Sequence, residues 1–187
     1  MKTYILSGGK SSRMGTDKGL VLLHQKPLVS YLIETLQNVG QEIKIIAHEP
    51  GYLNFNLPVI QDYYPEKGPL GGIFTALRDA KSDCLIISVD TPFIRANQFM
   101  KMMEVHQENQ LTLAFSNTKM YPLFGIYPHQ IITQVEKSIQ QNKLKLMDFL
   151  DGNSYQKVDF NFSMLEKMNI NTFEELKKAE KILENGN

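Results

Sequence analysis

Residues 2–18 read KTYILSGGKSSRMGTDK, and this stretch decides the fold. Lys2 to Ser7 is a short apolar run closed by Gly8-Gly9, the pattern of a buried strand ending in a tight turn. The loop that follows gathers Gly8, Gly9 and Gly15 with Lys10, Arg13 and Lys18. Glycines alone signal no more than a strand-to-helix turn edged by solvated lysines. Three cations in the same loop change the reading, because close backbone approach combined with positive charge is what a triphosphate requires.

The strand-then-helix pattern repeats outward from this loop. Leu28, Leu32, Ile33, Leu36 and Val39 recur at helical spacing and stop at Gly40, and Ile43 to Ala47 read as a second strand. Pro58 to Gln61 read as a third strand ending at Asp62, after which a Gly/Pro loop feeds a helix with Leu70, Ile73, Phe74 and Leu77 on one side. Leu85 to Val89 is a continuous apolar run, as expected for a central parallel strand covered on both faces, and it stops at Asp90-Thr91-Pro92. The spacing then predicts a helix near Asn97 to Glu108, strands near Leu111 to Phe115 and Leu123 to Tyr127, and a polar helix over about Gln130 to Gln141. Thr172, with Glu175 three residues on, caps a last helix whose inner face is Leu176, Ala179, Ile182 and Leu183; Glu184 to Asn187 are expected to fray.

Strands separated by helices imply right-handed crossovers and a three-layer α/β/α sandwich around a Rossmann-like, mostly parallel sheet, with ligands at the carboxyl ends of the strands. Ser7-Gly8-Gly9, Asp62 and Asp90 follow three different strands and are therefore expected to converge on one crevice. The 187 residues, 42% apolar and 21% charged, suffice for one continuous core, and no repeat or linker divides them, so one domain over residues 1–187 is expected. Twenty basic residues balance twenty acidic ones, which disfavours nucleic acid and anionic membrane as partners and favours a small ligand held by local charge. The lone Cys84 excludes an intrachain disulfide, and neither a signal-peptide pattern nor a membrane-length apolar run is present, so a soluble, cytoplasmic protein is expected.

Two familiar phosphate loops fail on particular residues. Gly9-Lys10-Ser11 imitates the end of a Walker A loop, which needs a glycine where Tyr4 stands. The dinucleotide fingerprint fails because Gly8 and Gly9 are adjacent and the next glycine is Gly15. Asp90, at the end of an apolar strand, suits a Mg²⁺ ligand and equally an Asx turn before Pro92. Asn169 and Asn171 alternate around Ile170, so both amides can face one side toward a metal-bound water, a phosphate or an acceptor; a turn into the last helix is the plainer reading. His24, His48, His106 and His129 are too dispersed for a metal site and read as exposed or satisfied.

The strand followed by L-S-G-G-K-S-S-R-M-G-T-D-K resembles the start of the molybdenum cofactor guanylyltransferase family, within the wider group of nucleotide-diphospho-sugar transferase-like nucleotidyltransferases. The wider group usually ends this loop in Pro-Lys, whereas Asp17-Lys18 resembles the enzymes acting on the pterin cofactor. The resemblance continues through Gln25-Lys26-Pro27-Leu28, Gly68-Pro69-Leu70-Gly71-Gly72, Asp90-Thr91-Pro92 and Asn169-Ile170-Asn171-Thr172. It departs from the family at Gln25 (commonly Gly), at Tyr121 (commonly His before Pro122), and at Ile46 to His48, where the family often places an asparagine.

The resemblance implies GMP transfer from GTP to molybdopterin with Mg²⁺ as cofactor and pyrophosphate as by-product. Arg13, Lys18 and Asp90 are implied to be catalytic, with Asp90 the metal ligand. Leu6, Ser7, Gly8, Gly9, Gly15 and Lys18 are implied to bind the nucleotide, as are Asp62, Gly68, Pro69, Leu70 and Asp90; Asn169 and Asn171 complete the set. Other molybdenum cofactor biosynthesis proteins or client apoenzymes are the implied protein partners. A relative using CTP or another phosphorylated acceptor, and a nucleotide-binding regulator without catalysis, remain open alternatives.

Overall fold

In a computed structural model, which describes residues 1–8 and 17–185, the alternation along β1 (Lys2–Ser7) sorts the molecule into layers. Tyr4 and Leu6 enter one core and Ile5 the other, because successive strand side chains face opposite sides. A 3-10 turn (Lys18–Leu20) and a small hairpin of β2 (Leu22–Leu23) and β3 (Lys26–Pro27) lead into α1 (Leu28–Asn38). That helix buries Val29, Leu32, Ile33 and Leu36 on the Ile5 side and ends at Gly40, as its spacing predicts. Then come β4 (Glu42–Ala47), β5 (Val59–Ile60), α2 (Gly68–Ala80), β6 (Cys84–Ser88) and α3 (Ala96–Val105). The second half adds β7 (Leu111–Ser116), β8 (Lys119–Tyr127), α4 (Ile132–Gln140), α5 (Leu146–Asp151), β9 (Tyr155–Asp159) and α6 (Phe173–Asn185).

The seven-stranded sheet has the order β5-β4-β1-β6-β8-β7-β9. β1 runs parallel to β4 and β6, and β4 to β5, so these four strands present their carboxyl ends on one side. Helices α2, α4 and α5 cover the face holding Tyr4, Leu6 and Ile86; α1 and α3 cover the face holding Ile5, Leu85 and Ile87. The expected three-layer, mostly parallel fold is therefore present, with β6 at the centre of the sheet.

Three details differ from the sequence-based expectations. β7 and β8, expected as successive strands, pair antiparallel as a hairpin turning at Asn117 with a φ of 56°, and β8 begins at Lys119 instead of near Leu123. β9 pairs parallel to β7 at the sheet edge, where the polar run YQKVD buries only Val158 and so carries little apolar signal. α6 remains helical to Asn185 instead of fraying at Glu184.

A third, smaller core positions the site. Val21, Leu23 and Leu28 pack with Ile170, Leu176 and Ala179, which docks α6 beside the β2–β3 hairpin. Ile170 is wholly buried, worth roughly 2 kcal/mol for a side chain of its size. Thr172 caps α6 through the Glu175 N–H at 3.2 Å, while the Glu175 carboxylate reaches back to the Asn171 N–H at 2.6 Å. The Asn169–Asn171 segment is thus anchored at Ile170 by burial and at Asn171 by the start of α6.

Candidate active site

Three chain-distant segments meet beyond β1 and β6. Lys18 opens the 3-10 turn, and its ammonium donates to Asn171 Oδ1 at 2.6 Å and stands 3.9 Å from Asp90 Oδ2. The Asp90 carbonyl accepts the Ile170 N–H at 2.8 Å, which fixes the asparagine segment against the end of β6. The Lys18 and Asp90 side chains are each 20% exposed, so their charges are partly desolvated yet open to a ligand. Asn169 Oδ1 is buried without a hydrogen-bond partner among the described residues, a cost of about 1–3 kcal/mol of the kind a functional site commonly carries.

Beside this cluster lies a cleft of about 580 Å³, lined by Leu6, Gly8, His48, Asp62, Gly68 and Pro69, with Ile46, Pro65, Glu66, Gly72, Ser88 and Leu123 completing its walls. Asp62 follows β5, and its side chain is only 15% exposed. Burial pushes the Asp62 carboxyl above the usual carboxylate range, and the nearby His48 ring and Thr75 hydroxyl offset this in part. His48 Nε2 lies 3.4 Å from Asp62 Oδ2, and Thr75 Oγ1 donates to Asp62 Oδ1 at 3.5 Å. Gly68 and Pro69 form the first turn of α2, which Lys67 leaves without a side-chain cap; the positive end of the helix dipole therefore faces the cleft.

Several of the sequence-predicted residues are brought together and others are not. Leu6, Gly8, Asp62, Gly68 and Pro69 line the cleft, and Lys18, Asp90 and Asn171 meet beside it. The Leu70 side chain instead enters the core, and the Ser7 hydroxyl is buried against Tyr52 and Asp17, which leaves only their backbones for a ligand. Gly68-Pro69-Leu70-Gly71-Gly72 is not a loop ahead of the helix but its opening turns. Within it Gly72 serves packing, since a Cβ there would come within 3.0 Å of Leu6 Cδ1. Tyr121 is buried edge-on to Phe162 at 5.0 Å. Gly9, Lys10, Arg13 and Gly15 lie outside the described residues.

His48 was not legible as a site residue, although its place directly after β4 follows the same strand-end rule that singled out Asp62. His106 does behave as a satisfied histidine, held by Thr112 and Asp83. Among the described residues no three His, Cys, Asp or Glu side chains converge as a metal cage. A single strand-end carboxylate beside amide oxygens fits Mg²⁺, which takes most of its ligands from water and phosphate. Among the described residues no helix is long and apolar enough to cross a membrane.

Residues 3–157 match the model of the MobA-like NTP transferase domain. The chain is 36% identical over 179 residues to a probable molybdenum cofactor guanylyltransferase of Flavobacterium johnsoniae, covering 94% of each protein. It is 32% identical over 186 residues to the molybdenum cofactor guanylyltransferase of Haemophilus influenzae, covering 96% of this chain and 97% of that one. Its fold matches the crystal structure of molybdopterin-guanine dinucleotide biosynthesis protein A from Archaeoglobus fulgidus, with a TM-score of 0.80 at 23% identity over 99% of this chain and all of that one.

Proposed function

Because the chain belongs to the MobA-like NTP transferase domain family, we propose that it transfers GMP from GTP to molybdopterin, forming the guanine dinucleotide form of the molybdenum cofactor and releasing pyrophosphate. The observation that carries this reading is the junction of Lys18, Asp90 and Asn171 beside the cleft of Asp62. A cleft of about 580 Å³ suits a nucleoside, and the charged junction next to it suits the phosphates.

The attacking group is the phosphate of molybdopterin, already an anion, so no protein nucleophile is required. The chain acts by alignment and by meeting charge where it develops. Asp62 offers carboxylate oxygens to the N–H donors of guanine or to ribose hydroxyls, and Leu6, Gly8, Gly68 and Pro69 supply the surrounding walls. The Lys18 ammonium meets the charge that grows on the departing pyrophosphate, a role Arg13 shares in the motif. Gly9 and Gly15 belong to the same triphosphate loop. Asn169 and Asn171 face the acceptor side. Asp90 would hold Mg²⁺, which when bound supplies Lewis-acid neutralisation of phosphate oxygens.

On this reading residues 1–187 form one catalytic domain that works in the cytoplasm on two small-molecule substrates, without nucleic acid or membrane. Other cofactor-biosynthesis proteins or client apoenzymes deliver and receive the pterin. A nucleotide screen tests the reading. Pyrophosphate release is expected to need GTP, molybdopterin and Mg²⁺ together, with CTP at least about tenfold slower, a difference of 1.4 kcal/mol in barrier. Equal release from CTP would overturn the base assignment, and no release from any nucleotide with this acceptor would leave a binding protein without this activity.

A further inference from the structure

Tyr52 lies outside the cleft, yet its hydroxyl reaches the loop that carries Lys18. It belongs to the 3-10 turn Pro50–Phe55 beyond β4, and its side chain is wholly buried. The phenol donates to Asp17 Oδ1 and lies against Ser7 Oγ, whose single proton is shared between the phenol oxygen and the same carboxylate. The same carboxylate oxygen accepts from Ser7 Oγ at 3.2 Å and from the Gly19 N–H at 3.0 Å. Asp17 is thereby the cap of the 3-10 turn that begins at Lys18, and it is fastened to the end of β1 and to the turn after β4 together.

Packing makes this arrangement rigid. Gly19 is buried, and a Cβ there would collide with the Tyr52 hydroxyl, lie 2.8 Å from Ser7 Oγ and lie 2.9 Å from Val89 Cγ2. Val89 in turn precedes Asp90 and donates its N–H to the Leu6 carbonyl at 3.0 Å. Lys18 therefore sits between Asp17 and Gly19, both of which are fixed, and its backbone has little freedom to drift relative to Asp90. Burial and the hydrogen bond to Asp17 raise the Tyr52 pKa far above its ordinary value, so the phenol remains a neutral donor.

We propose that Tyr52 is a positioning residue: through Asp17 it sets the backbone of Lys18 so that the ammonium meets the charge leaving the α-phosphorus beside Asp90. The inference rests on the role given to Lys18 under the proposed function. It also explains why an aspartate in place of proline before this lysine is structurally coherent here: the carboxylate receives bonds a proline could not accept.

Tyr52→Phe keeps the buried ring and removes only the hydroxyl, so the test is made in the full-length chain with GTP and molybdopterin. Expected are a fall in kcat of about ten- to a hundredfold, little change in KM for GTP, and a melting temperature close to that of the unaltered protein. Combining Tyr52→Phe with Lys18→Ala is expected to lower turnover no further than Lys18→Ala alone, which a purely structural tyrosine would not produce. Asp17→Ala provides a second route to the same loss, and adding Tyr52→Phe to it is expected to change nothing further. Unaltered kcat in Tyr52→Phe would overturn the inference, and so would losses that multiply in the Lys18 double variant. Full activity in Lys18→Ala itself would instead overturn the reading on which the inference rests, so the two failures are distinguishable.

Discussion

Asp62 and Asp90 each stand two residues beyond the end of a parallel strand, yet the chain surrounds them in different ways. Asp62 is shielded by the walls of a cleft containing Leu6, Ile46 and Leu123, and its nearest partners are a histidine ring and a threonine hydroxyl. Asp90 faces the Lys18 ammonium, which Asn171 also holds, and its backbone carbonyl accepts the Ile170 N–H. Desolvation dominates at the first carboxylate, whereas the second stands 3.9 Å from an ammonium supplied by a chain-distant segment. The first environment suits discrimination among neutral donors, since a buried acceptor left unmatched is costly. The second suits neutralisation of phosphate charge that changes during reaction.

The contrast breaks most visibly at the charged end. Lys18→Ala is expected to lower turnover roughly a hundred- to a thousandfold, the range for removing one preorganised transition-state donor, with little effect on KM for GTP. Asp90→Asn is expected to weaken the Mg²⁺-dependent part of GTP binding, measured by calorimetry with and without the ion. Wild-type turnover in Lys18→Ala would remove the distinction between the two ends, because neither would then respond to charge.

A smaller effect is expected at Asp62, and its sign separates binding from stability. Because burial raises its pKa, the folded state holds this proton more tightly than the unfolded chain does. Folding stability from Asp62 therefore falls as pH rises from the ordinary carboxylate range through the raised one, and at neutral pH the ionised group destabilises the ligand-free protein. Asp62→Asn is expected to raise the melting temperature at neutral pH while lowering GTP affinity about tenfold, or 1.4 kcal/mol. In the unaltered protein GTP affinity should decline as acidification protonates Asp62, and this decline should flatten in the variant. A variant both less stable and equally tight would contradict the desolvated-acceptor reading.

The parallel half of the sheet was legible because β1, β5 and β6 are apolar runs that give way to Gly8, Asp62 and Asp90, and helical spacing follows each of them. The other half was less so. Strand periodicity carries no direction, so the antiparallel course of β8 could not be read, and β9 offers one buried side chain against four polar or aromatic neighbours. Asp62 and Asp90 were expected on one side of the sheet because strand ends point at the ligand side of such folds, whereas Lys18 stood out through the composition of its loop. The Leu70 and Ser7 side chains pack inward, which the motif did not reveal because it does not separate residues that meet a ligand through a side chain from those that offer only backbone. Tyr52 was invisible because its hydroxyl partners lie 45 and 35 residues away in the chain.

The smallest expected effect lies behind the asparagines. Glu166 is nearly buried and accepts from Gln98 Nε2 at 2.7 Å, Arg95 Nε at 2.9 Å and the Ser163 N–H at 2.6 Å, tying the segment ahead of Asn169 to the start of α3. Burial pulls its pKa upward, but the bonds from Ser163 and Gln98 and the Arg95 charge outweigh it and hold the carboxyl below the usual glutamate range. A depressed carboxylate pKa contributes stability that is complete above the unfolded-state value and is lost as pH falls through the folded one. Glu166→Gln is expected to lose about 1–3 kcal/mol at neutral pH, read as a melting temperature lower by about 2–12 °C, and to converge with the unaltered protein in acid. Since Glu166 holds the segment proposed to face the acceptor and not the cleft, KM for molybdopterin should rise roughly threefold, about 0.7 kcal/mol, while GTP affinity stays unchanged. A loss shared equally between the two substrates would mean that the two ends of the site are mechanically one.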